Sequence, residues 1–308
     1  MFVPFISSKY STSKKRRDLE RRKGGGGGGK GGSGSGRASG GSSGSGGGSS
    51  GRTSSINTGG GSTRSATSFG NGGGPVLTIP AGSAFAGRTQ GGATRDQVYG
   101  TSTYGSGYPG ISGAGVASRG FPFYFWPLGW GGAAGLGSAA YLHNREYGDP
   151  DNSTRPGGPM MFATFVSSSQ NTTFHVVADN TTVIDLISDI SANCSSSINN
   201  SSSTSTPQTF NDSSPTAPNA QSVIQYYRAS SVALTLDGYN NSATWGNATE
   251  STPDSPLPSN IDNTLKDCLN LTIGAAVPLV DGAGRNVGSM SAGIVPLLWV
   301  VLYLSGVL

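Results

Sequence analysis

The residues of this 308-residue chain that could do chemistry are few and unevenly placed. The commonest are asparagines in Asn-x-Ser/Thr sequons: Asn152, Asn171, Asn180, Asn193, Asn199, Asn200, Asn211, Asn240, Asn247 and Asn270. Such an asparagine accepts a glycan on its amide nitrogen when its segment is lumenal. All ten follow residue 151, although the N-terminal half is also rich in serine, and this partition points to a lumenal or extracellular C-terminal half. Cys194 and Cys268 are the only cysteines, an even count that in a secreted setting reads as a disulfide; the alternative is two buried thiols. With His143 and His175 they are too scattered for zinc, so neither a metal site nor a cofactor is expected.

Catalytic constellations are scarce. His175 lies between Phe174 and Val176 and reads as a satisfied strand histidine more than a base. Asp185, Asp189 and Asp237 have the side chains for a shared acidic cleft, but helix-face carboxylates are usually solvated. No G-x-S-x-G elbow precedes a helix, and no glycine loop ending in Lys-Ser/Thr follows a strand. The expectation is a protein that is not an enzyme.

The chain ends in "DGAGRNVGSMSAGIVPLLWVVLYLSGVL", residues 281–308. Gly282, Ala283 and Gly284 are three small residues in a row, followed by an eight-residue polar spacer and a sixteen-residue apolar tail. That is the pattern of a glycosylphosphatidylinositol (GPI) signal with the lipid transferred to Gly282. A stable transmembrane helix wants about 20 apolar residues and usually a basic flank.

Charge divides the chain as sharply. Residues 1–119 carry 15 Lys and Arg against three acids, a net +12, whereas residues 120–308 net −8. Between them lies "GFPFYFWPLGWGGAAGLGSAAYL", 120–142, a run of 23 uncharged residues. Read as a helix it would span a bilayer as a signal anchor, leaving 1–119 cytoplasmic and making the tail a second span. Read against its prolines and glycines it is a buried aromatic loop. The start lacks an ordinary signal peptide, and "KKRRDLERRK" (14–23) reads as a solvated basic flank, a dibasic processing site or a nucleic-acid patch. Nucleic-acid binding is disfavoured, because the basic arm lacks interleaved aromatics and Arg-Gly-Gly repeats.

The elements that must position these residues gather late in the chain. From Gly24 to Gly74, 37 of 51 residues are Gly or Ser, and such a stretch is expected to stay disordered. Residues 75–158 form a Gly/aromatic-rich segment containing the 120–142 run. Residues 159–275 read as a small α+β module. "MMFATFVS" and "TTFHVVAD" are a strand pair, and "NTTVIDLISDISANC" is a helix with Val183, Ile187, Ile190 and Cys194 on one face. "QSVIQYYRA" reads as a short helix, and "SVALTLDGYN" as a strand with Val232, Leu234 and Leu236 inward. "NIDNTLKDCLNLTI" is a last helix with Ile261, Leu265, Cys268 and Thr272 on one side. The expected architecture is a small antiparallel sheet with helices on one face. A basic segment (1–23) and the Gly/Ser arm (24–74) precede it, and the anchor region (282–308) follows.

The runs "TRDQVYGTSTYGSGYPG", "RGFPFYFWPLGWGG", "YLHNREYGDPDNSTRPGGPM" and "YYRASSVALTLDGYNN" resemble a group of uncharacterised glycine-rich proteins of basidiomycete fungi over roughly residues 80–275. The resemblance implies a membrane- or surface-associated fungal protein and carries no activity or site residue. Together the features predict a glycosylated cell-surface or cell-wall protein of structural or interaction type. It would reach the plasma membrane through the secretory pathway, with a membrane and a wall polymer or surface protein as partners.

Overall fold

The computed structural model describes residues 51–110, 115–130, 145–244 and 252–282. Among the described residues the fold is α+β, with antiparallel sheets and two α-helices. A first hairpin joins β1 (Thr53–Gly59) to β2 (Ser62–Thr67), and β3 (Leu77–Thr78) pairs with β4 (Thr89–Gln90). The second half runs β5 (Met160–Val166), β6 (Thr173–Asp179), α1 (Asn180–Asn193), β7 (Gln208–Thr209), β8 (Val223–Tyr227), β9 (Val232–Leu236), α2 (Asn263–Ala276) and β10 (Leu279–Val280). The main sheet has the order β7-β5-β6-β9-β8, and a second has the order β1-β2-β10.

Strand alternation explains the main sheet. Ala163 and Phe165 stand opposite Val176 and Phe174, which in turn oppose Leu234 and Leu236, and all six are buried. Both helices start where carboxylates cap them. Asp179 accepts from the Thr182 N–H at 3.0 Å, and Asp262 from the Leu265 N–H at 3.0 Å. Val183, Ile187 and Ile190 on α1 and its C-cap Cys194 are buried, as are Leu265 and Thr272 on α2 and Ile261 just before it, with Cys268 partly so. Cys194 and Cys268 form a disulfide between α1 and α2, with Cα atoms 5.9 Å apart.

Three expectations are corrected. Residues 24–74 are not disordered throughout, because 53–67 form the β1–β2 hairpin. Ile56 and Ala66, two of its few apolar side chains, are fully buried, and Gly59, Gly60 and Gly61 turn the chain at positive φ. The stabilising partner is remote: Leu279 and Val280 pair with Thr67 and Ala66, which composition within the window cannot reveal. The segment "QSVIQYYRA" is strand β8 rather than a helix. Only Ala220–Ser222 turns helically, capped by Asn219, before β-branched and aromatic side chains enter the sheet opposite β9.

The third correction concerns the boundary near residue 158. Phe121, Phe123, Tyr124, Phe125, Leu128 and Trp130 are buried in the same core as the strands and helices that follow. Trp130 donates to the Tyr226 hydroxyl at 3.0 Å, and the Tyr104 hydroxyl to the Leu128 carbonyl at 2.5 Å. The described part of the 120–142 run is thus a packed, non-helical aromatic loop; residues 131–142 lie outside the described residues. Since β2 is bonded to β10, residues 53–67 and 279–280 share one sheet.

Candidate functional site

His175 sits in the middle of β6, the central strand of the main sheet. Its Nδ1 is 3.0 Å from the Thr164 hydroxyl, which donates to Gln208 Oε1 at 3.2 Å. The Thr164 hydroxyl thus links the imidazole to the Gln208 side chain. Burial lowers the His175 pKa against the opposing effect of Asp237, leaving the imidazole neutral at pH 7. Among the described residues no group of three His, Cys, Asp or Glu side chains could hold a metal ion. His143 lies outside the described residues.

The three aspartates do not share a cleft. Asp237 is exposed at the end of β9, near His175. Asp185 and Asp189 lie one turn apart on α1 and share Arg52, which pairs with Asp189 and reaches Asp185 Oδ1 at 3.3 Å. Arg52 also donates to the Asp185 carbonyl at 2.8 Å and to Ser188 Oγ at 3.1 Å. The cluster clamps the start of the β1–β2 hairpin to α1.

Burial raises the pKa of both carboxyl groups, and Arg52 only partly opposes it; for Asp185 the neighbouring Asp189 adds to the rise. A carboxyl raised on folding takes up its proton first in the folded state. Its contribution to stability therefore grows as pH falls from neutral through the folded value, and levels off below the unfolded one. We expect the thermal midpoint to be higher in mild acid than at neutrality, and Asp185→Asn to flatten that dependence. Arg52→Ala should cost roughly 1–2 kcal/mol near pH 7, between the worth of a surface and a buried pair, and less in mild acid. Melting curves across this pH range check both, and a slope unchanged in Asp185→Asn would contradict the assignment.

The sequons form a different kind of site. Asn171, Asn193, Asn200, Asn211 and Asn240 are exposed; Asn152, Asn180, Asn199 and Asn270 are half-buried; Asn247 lies outside the described residues. The one buried asparagine among the described residues, Asn241, is not in a sequon, and its side chain is committed to Asp254 and to the backbone of Ala243 and Ser255. Gly282 is the last described residue, and its N–H donates to the Gly72 carbonyl at 2.9 Å. A Cβ there would stand 2.8 Å from the Gly73 carbonyl oxygen, so the backbones approach too closely for a larger residue. Residues 283–308, with the rest of the proposed anchor signal, lie outside the described residues.

Sequence reasoning missed a buried cationic centre. Arg228 is fully buried and bonds Asp179 Oδ2 at 2.6 Å, the Pro278 carbonyl at 2.9 Å, Thr182 Oγ1 at 3.0 Å and Ser231 Oγ at 2.7 Å. Its guanidinium lies 3.4 Å from the Phe125 ring centroid. Arg155, also buried, donates to the carbonyls of Tyr147, Trp126 and Pro127. Burial lowers both pKa values, that of Arg155 to about 10, which still leaves it charged at neutrality. Nothing marks these arginines in sequence, because charge alone does not distinguish a solvated arginine from a buried one. No family model, curated protein or solved structure matches the chain.

Proposed function

We propose that this is a glycosylated cell-surface or cell-wall protein of structural or interaction type, anchored to the membrane through a lipid on its C-terminus. The observation that carries the reading is the placement of the sequons. None of their described asparagines is buried, whereas the buried asparagine is not in a sequon. A chain that glycans decorate after export must keep those amides at the surface. In this reading the compact α+β unit, with both helices over one face of the main sheet, is held near the bilayer by Gly282. It presents its glycosylated surface to a wall polymer or a neighbouring surface protein. The resemblance to glycine-rich fungal surface proteins favours the same setting. No helix among the described residues is long and apolar enough to cross a membrane.

The test is glycosidase treatment of the protein from a secretory host, which should produce a large mobility shift. The shared β1-β2-β10 sheet adds a sharper arm. Ser65→Asn creates the sequon Asn-Ala-Thr on an exposed position of β2, and that sequon should be modified together with Asn171. An unmodified residue 65 beside a modified Asn171 would contradict the single-sided topology, and an absence of any shift would overturn the reading.

A further inference from the structure

We propose that Tyr99 is a stacking platform for the chain's own glycan at Asn270; this rests on the reading of the protein as glycosylated. Asn270 lies on α2 in the sequon Asn-Leu-Thr. The hydroxyl of Tyr227, a fully buried residue, donates to Asn270 Oδ1 at 2.6 Å. That bond fixes the amide with its oxygen inward and leaves the nitrogen, the atom that carries a glycan, on the other limb of the amide plane. The Tyr99 ring packs 5.7 Å from the Tyr227 ring and donates its hydroxyl to the Asn270 carbonyl at 3.4 Å.

The position of Tyr99 is built. Gly274, one turn beyond Asn270, has no Cβ, and a Cβ there would stand 2.0 Å from the Tyr99 hydroxyl. The ring thus lies along α2 between Gly274 and Asn270. Yet it is 44% exposed, and the adjacent Leu271 is 65% exposed. A pyranose ring has a face of C–H groups that gains by covering aromatic surface otherwise left in water. A sugar attached to Asn270 begins beside that surface at no cost in association entropy, because it is already tethered. Other apolar occupants would have to compete with a covalently attached one.

Peptide mapping of the full chain from a glycosylating host, with melting curves, tests the proposal. Thr272→Val destroys the sequon while keeping Asn270 and its bond from Tyr227. Tyr99→Ala should lower the melting temperature by about 2–4 °C more with the Asn270 glycan present than in the Thr272→Val background. Equal shifts in the two backgrounds, or an unmodified Asn270 in a chain glycosylated at Asn171 and Asn211, would overturn the platform and leave the broader reading intact. A chain bearing no glycan at any sequon would overturn both.

Discussion

Arg228→Ala should unfold the protein or bring it close to unfolding. The substitution leaves Asp179 buried without its cation, and breaking such a pair typically costs about 3–5 kcal/mol, against a whole-domain stability of about 5–15 kcal/mol. More is lost than charge. Arg228, Ala229 and Ser230 are consecutive non-glycine residues at positive φ (50°, 50° and 59°) in the turn between β8 and β9, a conformation costing roughly 1–2 kcal/mol per residue. The turn persists because its groups are over-determined. The Arg228 N–H bonds the Val98 carbonyl, the Ser230 carbonyl accepts from Leu128, and the Arg228 side chain joins α1, Phe125 and the entry to β10. Arg228→Lys keeps the charge but not the planar fork and should also destabilise by more than 1 kcal/mol. Urea unfolding measures both, and a midpoint unchanged by either substitution would contradict this account of the core.

Cys194→Ser should be the second large effect. The bridge closes a separation of 74 residues, which in the chain-entropy account stabilises by about 4 kcal/mol. Its location magnifies the consequence. Cys194 is the C-cap of α1, and the bond ties that end to α2, whose own C-terminus leads directly to β10 and Gly282. The variant should melt well below the parent, and the reduced parent should match it. Equal melting of oxidised and reduced protein would show that packing, not the bridge, holds the helices together.

Most of the second half was legible because its signals are local. The strands β5, β6 and β9 and the apolar faces of both helices are written within a few residues of where they act. The cysteine pair was legible because both fell on those faces. The hairpin at 53–67 was not, since its Ser/Thr-rich strands are ordered by β10 more than two hundred residues later. The aromatic block looked apolar enough for a membrane, and the partners that make it a core, Tyr226, Arg228 and Arg155, lie far along the chain. Strand β8 was misread because "VIQYY" suits either period over so short a run. Of the proposed site residues, the sequons and Gly282 are readable by motif. The Arg52 clamp on Asp185 and Asp189, and the Tyr99–Tyr227–Asn270 cluster, depend on tertiary placement alone.

The central claim is that a folded, glycosylated unit is held to a membrane by a lipid joined where its last strand ends. Phosphatidylinositol-specific phospholipase C treatment of membranes, followed by mass spectrometry of the released C-terminal peptide, tests it most directly. The account predicts release into solution and a terminal peptide ending within Gly282–Gly284 that carries the ethanolamine-phosphate remnant of the anchor. Retention in the membrane, with peptides from residues 288–308 present in the mature protein, would contradict it.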